Sequence, residues 1–313
     1  RALNADVTGD DLPDYNSKLG MELFVRDDPD GYSEIGTDWM DTATLLERMT
    51  FAQIIAENAD KDVKWDAEAL FSEKGPDTKI RYLVPKNASL GKKWTQVDFN
   101  DAKWSSVGTS VGYDNNSDFL DFIDLDLKAE MYQKQTSVYV RLPFLIEDPM
   151  QFEYLRLKIR YDDGFAAYLN GVKVASANAP TQLKWNSKAT DGHPDSEGKE
   201  LKVFSLSKHI KHLRKGRNIL AIHGMNNTQT SSDLLIQPQL RGGLGSGEAV
   251  VNYFDRLLFQ NSLNQTQKNI LLKFVNTNVA ERPKSLDPAA ADYTQKVQEL
   301  VGLILSMPQW QFQ

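Results

Sequence analysis

Hydrophobic residues keep two different rhythms along this chain, and the change between them is sharp. From about residue 81 to residue 240 they alternate with polar ones in short runs, such as Ser137-Val-Tyr-Val-Arg-Leu142, Tyr154-Leu-Arg-Leu-Lys-Ile-Arg-Tyr161 and Ala166-Ala-Tyr-Leu169. Successive side chains of a strand point to opposite faces, so runs of this kind predict half-buried strands. Turn signals separate them at Asp163-Gly164, Asn170-Gly171 and Lys215-Gly216. Asn170-Gly171 is the sharpest signal, because Asn-Gly suits the positive φ angles of a two-residue hairpin turn. The middle of the chain is therefore predicted to be an all-β sandwich.

On both sides the period is helical. Residues 1–36, rich in Asp, Gly and Pro, read as extended loop. Residues 38–60 read as a helix with Asp41 as N-cap and Leu45, Leu46, Met49, Ala52 and Ile55 on one apolar stripe. After the sandwich, Arg241-Gly-Gly-Leu-Gly-Ser-Gly247 reads as a flexible hinge. Val250–Phe259 is a second helix, and Asn264 with Gln267 forms a capping pattern for a third, to about Asn276. A last helix is expected to start at Asp287-Pro288 and run to about Ser306. Neither helical flank is long enough to be a domain, so the two are expected to pack together beside the sandwich. The predicted division is a loop and helical segment at 1–78, a β-sandwich at 79–242 and completing helices at 243–313. The fold class is α+β multidomain, a sandwich inserted into a small α-helical domain.

Composition narrows the function. A net charge of −7 and a pI near 5.3 give no basic field for a nucleic-acid backbone or an anionic membrane surface. With no cysteine, disulfides and thiolate metal sites are excluded. No apolar run reaches the roughly 20 residues that span a bilayer. The opening at Arg1 reads as a mature or excised fragment. No phosphate loop, dinucleotide fingerprint or Gly-x-Ser-x-Gly elbow is present, and no nucleophile–base pair is visible, so the chain is expected not to be an enzyme.

Tyr161-Asp-Asp-Gly-Phe-Ala-Ala-Tyr-Leu-Asn-Gly171 carries a resemblance. With Trp94 to Trp104 before it, Val138-Tyr-Val-Arg141 between, and Asn218 to Asn226 and Ser231 to Ile236 after it, the segment resembles the galactose-binding-like jelly roll of bacterial exported proteins. The flanks resemble the C-terminal part of the DUF1800 family. Leu19-Gly-Met-Glu-Leu-Phe24, Trp39 to Ala52 and the terminal Leu-Ser-Met-Pro-Gln-Trp-Gln-Phe312 carry that likeness. The two resemblances imply a jelly roll set into a helical exported protein, placed outside the cell, at the surface or in the periplasm of a bacterium. They imply no reaction.

Several residue groups are candidates for binding. Asp6, Thr8, Asp10 and Asp14 occupy positions 1, 3, 5 and 9 of a calcium-type loop. The glycine and glutamate usual at positions 6 and 12 are replaced by Asp11 and Ser17, and the plainer reading is an exposed acidic loop. The jelly-roll resemblance implies a structural Ca2+ in a loop, and Asp114, Asn116 and Asp118, in an acidic stretch running to Asp126, are the alternative site. Asp162 and Asp163, as strand neighbours, point to opposite faces, so turn formation through Asx-type bonds is expected instead of acid–base work. His209 and His212 have no acidic partner at metal-ligand spacing and read as surface, while His223 lies in an apolar strand and reads as core. Trp94 and Trp104 also read as core. Trp185, in the polar loop Gln182-Leu-Lys-Trp-Asn-Ser-Lys188, either caps the sandwich or stacks on a sugar. In the second reading Asn186, Asp191 and Asn178 meet the sugar hydroxyls.

The leading expectation is a non-catalytic module that binds carbohydrate or an extracellular polymer. A structural subunit of a surface complex or filament, working through protein contacts, is the alternative. An accessory part of a hydrolase whose catalytic region lies elsewhere is a third.

Overall fold

The computed structural model describes residues 6–7, 42–57, 63–64, 79–146, 148–277, 284–290 and 292–307. The chain divides into two compact units, one formed by Arg1–Leu70 with Leu244–Gln313 and the other by Phe71–Gly243.

Among the described residues the second unit holds ten strands in two sheets, paired antiparallel. The strands are β3 (Ile80–Leu83), β4 (Ser105–Val107), β5 (Val111–Asp114), β6 (Ser137–Ile146), β7 (Tyr154–Asp162), β8 (Gly164–Leu169), β9 (Val172–Ala177), β10 (Lys202–Ser205), β11 (Gly216–Met225) and β12 (Asp233–Gly243). One sheet has the order β4-β3-β6-β11-β8-β9, the other β10-β7-β12-β5. Both give side chains to one core. Leu155, Leu157, Ile159 and Tyr161 come from β7, Val138, Val140 and Leu142 from β6, Leu220 and Ile222 from β11, and Leu234 and Ile236 from β12. Each large aliphatic side chain removed from water there contributes about 1.5–3 kcal/mol.

Alternation explains the pattern of β7, where Arg156, Lys158 and Arg160 point out between the core residues. It fails for β11, which is buried from Asn218 through Met225. The six-stranded sheet carries a second apolar cluster on its other face, built from Trp94, Tyr139, Ala166, Tyr168, Ile219, Ala221 and Met225. Trp94 stacks on Tyr139 at 4.0 Å, and Trp104 packs beside them, half-buried. The segment bearing both tryptophans is anchored by Arg141, fully buried, whose Nε donates to Asp101 Oδ2 at 2.7 Å and whose Nη1 donates to the Trp94 and Gln96 carbonyls. His223 lies in this layer, its Nε2 2.8 Å from Ser137 Oγ.

The β8–β9 hairpin turns at Asn170 (φ 51°) and Gly171 (φ 92°), the backbone that the Asn-Gly pair predicts. The start of the glycine run 241–247 is strand where a flexible segment was expected. Gly242 and Gly243 pair with Leu155 and Tyr154 as the end of β12. A Cβ on Gly242 would lie 2.9 Å from both Leu155 and the Phe152 ring, so the small residue serves close packing. Ser246 then caps a helix, its Oγ accepting from Ala249 N at 3.2 Å.

The first unit is helical in its described part, with a two-residue pairing of β1 (Asp6–Val7) and β2 (Val63–Lys64). Its helices are α1 (Thr42–Ala56), α4 (Gly247–Phe259), α5 (Gln265–Val275) and α6 (Tyr293–Leu305). The second unit carries the single-turn helices α2 (Lys128–Met131) and α3 (Asp195–Gly198). Helix α1, from one end of the chain, packs on α6, from the other, and a Cβ on Gly302 would meet Ala56 at 3.3 Å. The buried face of α1 centres on Ala52 and Ala56, while Leu46 and Met49 are exposed, which narrows the predicted stripe. The capping box of Asn264 with Gln267 is present in full. Helix α6 begins six residues later than the Asp287-Pro288 signal, because Asp287 Oδ1 accepts from Ala289 N and closes a turn of its own. Asp41 and the residues of the 1–36 loop other than the backbone of Asp6–Val7 lie outside the described residues.

Candidate functional site

One group of polar residues in the sandwich unit is built with more care than a surface needs. It starts at the end of β7. Asp162 pairs with Leu235 on β12, and Asp233, two residues before Leu235, shares its face. Leu234, Ile236 and Tyr161 face the inter-sheet core, so Asp162 and Asp233 lie together on the outer face of the four-stranded sheet. The third member, Asp195, opens α3. Gly198 lets that turn approach closely, since a Cβ there would lie 2.9 Å from the Phe119 ring and 3.4 Å from the Tyr161 carbonyl. Arg160 Nε donates to the Lys199 carbonyl at 2.7 Å, and the His193 ring stacks on Tyr161 at 4.3 Å. Each of the three aspartates offers one carboxylate oxygen, and these oxygens all lie within 4.8 Å of one another.

Asp162 and Asp233 are 1% and 5% exposed, and Asp195 is half-buried. Burial, then the charges of Asp163 and Asp233, push the Asp162 carboxyl far above the usual carboxylate range. Burial raises Asp233 as well, while its contact with Asp162 pulls it down. Burial also raises the Tyr113 hydroxyl, which donates to the Ser231 carbonyl at 3.0 Å and receives Asn226 Nδ2 at 2.8 Å. Two oxygens in this region are sealed from solvent and receive no hydrogen bond, Asp162 Oδ2 and Asn226 Oδ1.

Asp163 does different work. Its Oδ1 accepts from His193 N at 3.0 Å and its Oδ2 from Asn227 N at 2.8 Å, while its carbonyl accepts Asn178 Nδ2 at 2.9 Å. The expected local Asx bond is therefore replaced by bonds to three distant segments. Burial raises its carboxyl, and the two backbone N–H groups oppose that rise.

The loop proposed to meet a sugar runs from Asn178 to Asp195. Thr190 N donates to the Asn178 carbonyl at 2.8 Å, and Ala189 N to the Asn226 carbonyl at 2.9 Å. The Ser187 carbonyl accepts from the Ser137 and Thr136 hydroxyls. Trp185 on this loop is half-buried, and Asn186 and Asp191 are exposed. Asp191 Oδ1 accepts from Gly192 N at 2.9 Å. Asn178 holds a left-handed backbone (φ 48°) and gives its amide to Asp163, so it positions the loop.

The predicted calcium residues fare differently. Thr8, Asp10, Asp14 and the side chain of Asp6 lie outside the described residues. Asp114 has both oxygens engaged by backbone, Oδ1 by Asn116 N and Ser117 N and Oδ2 by Phe119 N. Asp118 pairs with Lys199 at 2.9 Å, and Asn116 is exposed. Those bonds organise a loop and leave Asp114 no oxygen without a donor. His209 and His212 stand 5.9 Å apart, ring to ring, and among the described residues no carboxylate pairs with either. His223 is 3% exposed and held among aromatic rings.

Asp195 and Asp233 were not visible as site residues in the sequence. Neither stands at a ligand-like spacing from Asp162, and only the register of β7 on β12 and the packing of α3 unite them.

A family model described as protein of unknown function (DUF1800) matches residues 8–312. No curated protein matches the chain. Among solved structures, a Bacteroides uniformis β-glucuronidase is similar over 55% of this chain and 18% of its own, with 12% identity and a TM-score of 0.35. Bacteroides uniformis β-glucuronidase 2, covalently bound to a cyclophellitol aziridine, gives 13% identity over the same shares and a TM-score of 0.34. A Ruminococcus gnavus β-glucuronidase gives 13% identity over 49% of this chain and 20% of its own, with a TM-score of 0.30. The chain thus spans about a fifth of the length of these structures.

Proposed function

The chain belongs to the DUF1800 family, proteins of unknown function, and from that premise we propose that its β-sandwich is a non-catalytic jelly-roll module, inserted into a helical domain, that binds carbohydrate or an extracellular polymer outside a bacterial cell. The observation that carries this reading is the loop from Asn178 to Asp195. It presents a half-buried indole, Trp185, with exposed polar neighbours Asn186 and Asp191. A half-buried indole suits the apolar face of a sugar ring, and adjacent amide and carboxylate groups suit its hydroxyls. Backbone bonds at Ser187, Ala189 and Thr190 fix the loop beforehand, so binding costs little ordering entropy.

The test is retention on a panel of immobilised polysaccharides. Wild type is expected to be retained by at least one, and Trp185→Ala to lose that retention with an unchanged melting midpoint. Equal retention of the two proteins, or none by wild type, rejects the reading.

A further inference from the structure

We propose that Asp162, Asp195 and Asp233 form a binding site for one divalent cation of the hard, oxygen-seeking class, calcium, on the outer face of the four-stranded sheet. The inference rests on these carboxylates and does not depend on the carbohydrate reading.

The first support is spacing. Calcium–oxygen distances of about 2.3–2.6 Å put two ligands of one ion at most about 5 Å apart. The three aspartate oxygens lie within 4.8 Å of one another. The second support is the unpartnered oxygen. Asp162 is 1% exposed, yet its Oδ2 receives no hydrogen bond. A buried anionic oxygen without a donor calls for a cation or a proton. Across the Tyr113 hydroxyl, Asn226 is fully buried and its Oδ1 is likewise without a donor. Among the described residues no lysine or arginine ion-pairs with any of the three carboxylates, and Lys199 is engaged by Asp118.

The elements around the cluster suit an ion. Asp162 and Asp233 are held by strand pairing, and Asp195 is half-buried and leaves a way in. Asp163 adds negative charge beside the site while its own oxygens stay on His193 and Asn227. An all-carboxylate set of this kind selects hard cations over zinc or copper. Once bound, the ion would tie β7, β12 and α3 together.

The experiment is a titration of the full chain, stripped with EDTA, by calcium and separately by magnesium. Thermal melting reads stability, and terbium luminescence sensitised by Tyr113 and Tyr161 reads occupancy. Calcium is expected to raise the wild-type melting midpoint and to displace one terbium per chain. Asp162→Asn and Asp233→Asn are expected to lose the calcium-dependent rise. Asp195→Asn, at the accessible edge, keeps the fold and is expected to weaken calcium affinity about tenfold or more. A rise that persists in all three variants places the ion elsewhere and overturns the proposal. A response to magnesium alone overturns the assignment to calcium. No response to either ion shows that the carboxylates share a proton instead, and overturns it outright.

Discussion

His223 shows how a single buried side chain sets acid sensitivity. Burial holds its imidazole at a pKa of about 3, against about 6.5 in an unfolded chain. The unfolded state therefore takes up the proton first, and stability falls as pH drops below about 6.5. Asp162, Asp163 and Asp233 act with the opposite sign. Their carboxyls are raised in the fold, so their contribution is fullest at acidic pH and is lost as pH rises through the raised values. Comparing wild type with His223→Gln by urea unfolding isolates the histidine. Between pH 7 and pH 4 the wild type should lose up to about 3 kcal/mol more than the variant. Parallel curves would contradict the buried, neutral imidazole. At this scale the sequence was partly legible. An apolar strand marks His223 for burial and the turn motif marks Asp163 as structural, but the partners of Asp163, His193 and Asn227, lie on other segments that spacing cannot reveal.

Local chemistry decided which elements could be read directly. The β8–β9 hairpin and the α5 capping box each depend on residues within a few positions, and both appear where the sequence puts them. Gly242 and Gly243, at the start of the glycine run before α4, belong to a strand for the converse reason. Their role is set by β7 and the turn before it, where Leu155 and Phe152 occupy the space a side chain on Gly242 would take. Gly242→Ala should therefore cost about 1–3 kcal/mol in chemical denaturation, by overpacking that contact. A neutral result would restore the reading of a flexible linker. The three-carboxylate cluster belongs to the same class of feature. Asp162 is visible in a turn motif, but Asp233 joins it only through the antiparallel register and Asp195 only through the packing of α3.

The whole chain combines a continuous β unit with a helical unit drawn from both ends. The two hydrophobic periods differ between the units because each reports which geometry buries the local apolar face. The β unit has its own core between its sheets, so a fragment of residues 79–243 should melt cooperatively by itself. Removing residues 1–70 should loosen the helices of 247–305, since α6 loses the packing of α1. Circular dichroism of the two fragments checks both expectations, and a molten 79–243 fragment would refute the first. The proposed binding falls at one place, the loop from Asn178 to Asp195, held by Ser187, Ala189 and Thr190 against the sandwich. Hydrogen–deuterium exchange of the full chain, with and without the polysaccharide that retains it, examines that place directly. The account predicts slowed exchange concentrated in 178–194 and the adjoining Asn226–Asn227. Protection confined to the helices, or no change along this loop, would contradict it.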